Sequence, residues 1–139
     1  MNEKSPAHID NRNTIMICEH DLTLMQLFQQ VLGSKYNIIT VDSGKECLNR
    51  YINEKVIGNK VDILLVDYRL KDLPGDIVAT TVRELGGSKK RVTSTILVST
   101  CDADKELLEE LKTKDCIIES LEKPISANSL IDIIERAFA

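Results

Sequence analysis

The sequence predicts an α/β fold, a five-stranded parallel sheet with helices on both faces. Short apolar runs alternate five times with stretches of helical periodicity, which is the pattern of a parallel sheet in a three-layer sandwich. The third run, Ile63-Leu64-Leu65-Val66, is apolar without alternation, as a strand covered on both faces should be. The length of 139 residues matches one domain, at roughly 150 residues each.

Each element has a local reason. Thr14–Cys18 is the first strand. Leu24, Leu27, Phe28 and Val31 follow at i, i+3, i+4 and i+7, one face of a helix that Gly33 ends. Asn37–Val41 is the second strand. Ser43 and Glu46 form a capping box for a helix that buries Cys47, Leu48, Tyr51 and Ile52. Residues 61–66 are the third strand. Pro74-Gly75 turns into a third helix with Val78, Val82 and Leu85 inward, stopped by Gly86-Gly87. Residues 93–98 are the fourth strand, and Asp102 is the expected cap of a helix carrying Leu107, Leu108 and Leu111. The fifth strand lies within residues 115–121. Ser126 caps a last helix with Leu130, Ile134, Ala137 and Phe138 inward.

Composition narrows the function classes. Hydrophobic residues make up 42% and charged residues 29%, which excludes wholesale disorder. Eighteen Lys and Arg against 22 Asp and Glu give a net charge of -4, unsuited to binding nucleic acid or an anionic membrane. The apolar runs are far shorter than the about 20 residues that span a membrane. Residues 1–13 are polar, lack the apolar stretch of a secretory signal and read as a disordered tail before a domain at 14–139; a cytoplasmic location follows. Cysteines 18, 47, 101 and 116 form no C-x-x-C pair and read as small core hydrophobes. Cys18 and His20 could begin a zinc site, but no second ligand pair has finger-like spacing.

In such folds the functional crevice lies at the carboxyl ends of the strands. The first strand ends in Cys18-Glu19-His20-Asp21, the third at Asp67, the fourth at Ser99-Thr100, and the fifth is followed by Lys123-Pro124. No glycine-rich phosphate loop follows the first strand, against a nucleotide or flavin carrier. One crevice therefore gathers carboxylates, a hydroxyl and an ammonium.

This pattern resembles the receiver domain of bacterial two-component response regulators, a flavodoxin-like (βα)5 fold of the CheY type, over about residues 14–139. Its carriers are Asp67 ending an apolar strand, the D-x-x-L spacing to Leu70, Gly75 after the loop, Ser99 ending ILVS, and Lys123-Pro124 in LEKP. The resemblance implies that Asp67 is a nucleophile taking a phosphoryl group from a phosphohistidine on a histidine kinase or phosphotransfer protein. Ser99 would hydrogen-bond the phosphoryl oxygen and Lys123 would pair with it. It implies Mg2+ held by Glu19, Asp67 and the main-chain carbonyl of Arg69, and a cis bond before Pro124 that aims Lys123 inward. The module would switch the binding of an effector domain or protein through its fourth helix, fifth strand and fifth helix. It would phosphorylate itself without being a turnover enzyme, and a homodimer is compatible with it.

Two positions depart from the pattern. Where the family carries a second acidic residue after the first strand, this sequence has His20, and imidazole suits zinc, copper or nickel better than magnesium. Magnesium binding is therefore expected to be weak, with Asp21, one residue on, capping the first helix instead. Ser120 stands where the family places an aromatic switch residue, and Thr100 where many receivers carry Ala. These departures favour the alternative reading, a degenerate receiver that docks or dimerises without phosphate.

Overall fold

The structure is a computed structural model that describes residues 12–87, 92–100 and 104–139. Its elements run β1 (Thr14–Cys18), α1 (Leu22–Leu32), β2 (Asn37–Val41), α2 (Gly44–Val56), β3 (Ile63–Asp67), α3 (Gly75–Leu85), β4 (Ser94–Ser99), α4 (Lys105–Thr113), β5 (Glu119–Glu122) and α5 (Ala127–Phe138). All strand pairs are parallel, in the order β2-β1-β3-β4-β5. The expected α/β class and parallel sheet are observed. β1 has β2 on one side and β3 on the other, so the winding reverses at β1, and a crevice opens at the carboxyl ends of β1 and β3.

The apolar runs of β1, β3 and β4 feed both faces. Met16, Leu64 and Leu97 pack with Cys47, Tyr51, Val78, Val82 and Leu111, under α2, α3 and α4. Ile15, Ile17, Ile63, Leu65, Ile96 and Val98 pack with Met25, Phe28, Leu32, Leu130 and Ile134, under α1 and α5. Tyr36 stacks on Phe138 with ring centroids 5.5 Å apart, which ties α5 to the start of β2.

Several expectations are corrected. α1 buries Met25, Phe28 and Leu32, so its inner face is turned from the expected stripe; Leu24 and Val31 pack only partly against the core. Ile52 is exposed, and α2 buries Glu54 instead, whose carboxylate accepts from Arg50 Nε and Asn59 Nδ2. β3 begins at Ile63 and reaches Asp67; β4 begins at Ser94 and reaches Ser99; β5 runs one residue past the expected end. Val61 and Thr93 are buried just ahead of their strands. The cap of α4 is Asp104, which accepts from Glu106 and Leu107 N–H; Asp102 lies outside the described residues. Gly33 stays right-handed at φ -65°, whereas Gly87, after α3, uses the left-handed region at φ 87°. Of the expected tail, residues 1–11 lie outside the described residues; Arg12 and Asn13, next to β1, hydrogen-bond Asn37.

Candidate functional site

Asp67 is the last residue of β3, is 2% exposed and lies in the crevice. The chain turns sharply after it. Tyr68 N–H donates to Val98 O at 2.8 Å, and Gly75 N–H closes the loop onto Tyr68 O at 2.8 Å. This return brings α3 against the backbone of Asp67 so tightly that a Cβ on Gly75 would fall on the Asp67 carbonyl oxygen. Within the loop, Arg69 N–H donates to Asp67 Oδ1 at 3.1 Å.

Glu19 is the first residue beyond β1 and is 1% exposed. Its N–H donates to Val41 O at 3.1 Å, and its Oε2 accepts Asp21 N–H at 3.2 Å. Asp21 spends its own carboxylate on Thr23 and Leu24 N–H, at 2.9 and 3.2 Å, and caps α1 as expected. Between them His20 is partly exposed, with Nδ1 3.3 Å from Asp67 Oδ2 and 3.8 Å from Glu19 Oε2.

The Lys123-Pro124 bond is cis. Lys123 N–H donates to Ser99 O at 2.7 Å, and its Nζ lies 3.2 Å from Asp67 Oδ2 and 3.6 Å from Glu19 Oε2. Four of the sequence-predicted side chains, Glu19, His20, Asp67 and Lys123, thus meet in one cluster. Ser99 is buried at the end of β4, one position past Val98, the strand partner of Asp67. It also lines a cavity of about 230 Å³ with Thr100, Lys105, Ser120 and Glu122.

The charges are strained by burial. Taking a carboxylate out of water disfavours its ionised form, and a second carboxylate beside it adds repulsion. Burial first, and then the neighbouring Asp67, push Glu19 up to about 7, against the Lys123 ammonium and the Asp21 N–H, which pull it down. Glu19 Oε1 is buried with no hydrogen-bond partner. Ligand atoms of Glu19, His20 and Asp67 all lie within 4.8 Å of one another, a spacing that a metal ion could bridge. The two carboxylates and the orphaned oxygen fit a divalent cation. The imidazole does not fit magnesium, which takes oxygen ligands.

One contact near the site had no signal in the sequence. Asp72, in the loop after β3, accepts Gly44 and Lys45 N–H at 2.9 Å each and so caps α2 from 28 and 27 residues away. These two N–H groups hold its carboxyl below the usual range. The loop that carries Arg69 is thereby pinned to the start of α2. Cys18 faces away from the cluster: its Sγ donates to Ser43 O at 3.3 Å and sits in the core, so it joins His20 in no metal site.

No protein-family model matches the sequence, and comparison with curated proteins gives no match. Solved structures do match. The signal receiver domain of a protein described as a Luxo repressor, from Vibrio parahaemolyticus, superposes with a TM-score of 0.77 at 21% identity, over 91% of this chain and 90% of that one. A CheY-like response regulator receiver domain from Methylobacillus flagellatus gives 0.72 at 22% identity, over 91% and 99%. A DrrB receiver domain in its BeF3-activated form gives 0.74 at 16% identity, over 92% and 98%. Many of the matching structures are response regulator receiver domains, and this chain has their fold. Among the described residues no helix is long and apolar enough to cross a membrane.

Proposed function

We propose that the chain is a phosphoacceptor receiver module in two-component signalling, with Asp67 as the acceptor. The observation that carries this reading is the buried Asp67 carboxylate with the Lys123 ammonium 3.2 Å away, at the strand ends of a receiver fold. Asp67 attacks the phosphorus of a phosphohistidine on a histidine kinase or phosphotransfer protein. An O–P bond forms, the P–N bond breaks, and its electron pair leaves on the imidazole nitrogen. Attack brings two anions together, so positive charge must be in place beforehand. Lys123 supplies one such charge, and a divalent cation at Glu19 and Asp67 would supply more. Ser99, buried at the end of β4, would donate to a phosphoryl oxygen, and the cavity that it lines with residues of α4 and β5 supports an effector-binding face on α4, β5 and α5. The module is consumed and reset rather than turned over as an enzyme.

The second reading is a phosphate-independent docking module in the cytoplasm. It is favoured by His20, an imidazole with Nδ1 3.3 Å from Asp67 Oδ2 where a second metal-binding acid is expected, and by the Lys123 ammonium, which already faces both carboxylates. Incubation with acetyl phosphate and a divalent cation, followed by intact mass, separates the two. The expected result is a single phosphoryl addition that disappears in Asp67→Asn. In Lys123→Ala labelling should slow about a hundredfold, the scale of losing one preorganised charge-stabilising donor. Absence of labelling at high donor and metal overturns the phosphoacceptor reading and favours the docking module.

A further inference from the structure

We infer that the cation this crevice selects is a borderline transition metal of the zinc type, bound by Glu19, His20 and Asp67, and not magnesium. The inference rests on the crevice being the functional site, but it concerns metal selection and can fail while Asp67 still accepts phosphate.

Three observations carry it. First, the third donor is imidazole, which suits zinc, nickel and copper, whereas magnesium demands oxygen and near-octahedral geometry. Second, the two donor spacings from His20 are close to those of a small tetrahedral ion, and the third lies within 4.8 Å. Bonds of about 2.0–2.1 Å at tetrahedral angles set neighbouring ligand atoms roughly 3.3 Å apart. His20 Nδ1 stands 3.3 Å from Asp67 Oδ2 and 3.8 Å from Glu19 Oε2. Third, Glu19 is only 1% exposed, and while its Oε2 faces His20 and accepts the Asp21 N–H, its other oxygen, Oε1, is buried without a hydrogen-bond partner, which leaves this carboxylate with unspent capacity to hold a cation.

The obvious oxygen replacement is unavailable. Asp21 would have to leave the two N–H groups of α1 that its carboxylate caps to reach the crevice. Its carboxylate is already spent on those donors, which leaves His20 as the third ligand. His20 is also the exposed member of the trio and marks the entry path. Three protein ligands leave the fourth tetrahedral position to water, the arrangement of an open rather than a closed zinc site. Lys123, 3.2 and 3.6 Å from the same two carboxylates, must shift as the metal enters.

The test is titration calorimetry of the whole chain with Zn2+, Co2+ and Mg2+, together with the visible absorption of the Co2+ form. The unmodified protein should bind Zn2+ at least about a hundredfold more tightly than Mg2+, as expected where imidazole replaces an oxygen donor. Its Co2+ form should show the intense visible bands of tetrahedral coordination. His20→Ala and Asp67→Asn should each lose the Co2+ bands, and His20→Asp should narrow the preference for Zn2+ over Mg2+. The half-exposed His20 makes its two variants safe for folding, which circular dichroism checks. Mg2+ binding as tight as Zn2+, or Co2+ bands unchanged in His20→Ala, overturns the inference. Zinc binding through His20 without any phosphoryl labelling would uphold it and overturn the phosphoacceptor reading; labelling without metal preference would do the reverse.

Discussion

At Glu19 a buried carboxylate accepts the Asp21 N–H with one oxygen and leaves the other without a hydrogen-bond partner. Its carboxyl titrates near 7 in the folded chain against 4.5 in its ordinary state. Between those values the folded protein holds a proton that the unfolded chain has lost. Stability of the metal-free protein is therefore greatest below about pH 4.5 as far as this group is concerned. It should fall as pH rises towards 7 and level off above that. Glu19→Gln should flatten that fall in thermal melts taken across the same window. The causes are separable as well. Asp67→Asn removes the neighbouring charge and should lower the Glu19 titration, while Lys123→Met removes the opposing ammonium and should raise it, both read from side-chain carboxyl carbon shifts.

At the scale of elements, the site depends on how tightly α3 returns to β3. Gly75 opens α3 and its N–H reaches Tyr68 O, with the Asp67 backbone where a Cβ would go. The clash is with backbone, which has no rotamer to yield. Gly75→Ala should cost about 1–3 kcal/mol, the range for forced overpacking, measured by urea denaturation. It should also slow phosphoryl labelling of Asp67, because the turn that aims the carboxylate is the part that must move. α2 shows the same dependence on distant partners. Ser43 Oγ accepts Glu46 N–H as a capping box requires, but Glu46 reaches Asp42 N–H, and the remaining first-turn donors go to Asp72.

Across the whole molecule, two apolar clusters share one sheet. β1, β3 and β4 contribute alternate residues to both, so neither cluster can dissolve without disturbing the strands that build the other. Phe28, fully buried between α1 and the sheet, is the test position. Phe28→Ala should cost about 3–5 kcal/mol. The loss should appear as one cooperative transition by both far-ultraviolet circular dichroism and tyrosine fluorescence, since Tyr51 and Tyr36 report on opposite faces. A transition split between the two probes would mean that the layers unfold independently.

What the sequence determined by itself was local. The unbroken run Ile63 to Val66, the Ser43 and Ser126 caps and the Asp21 cap act over a few residues, so they are legible without a fold. The membership of the crevice was legible through the strand ends, because parallel strands all deliver their carboxyl ends to one edge. Helix faces were read less well. α1 is rotated onto Met25 and Leu32, and α2 buries Glu54 while exposing Ile52, because long-range packing chooses among apolar stripes that periodicity leaves nearly equivalent. Asp72 was invisible, since its partners lie 28 and 27 residues away. The state of the site was decided by tertiary structure alone. Asp67 and Lys123 are 56 residues apart in the chain and 3.2 Å apart in space. The raised titration of Glu19 comes from burial and from the Asp67 carboxylate on β3, and its orphaned oxygen from burial. Residue types reveal which groups can ionise or ligate, but desolvation and Coulomb interaction depend on distance, and distance exists only once the chain has folded.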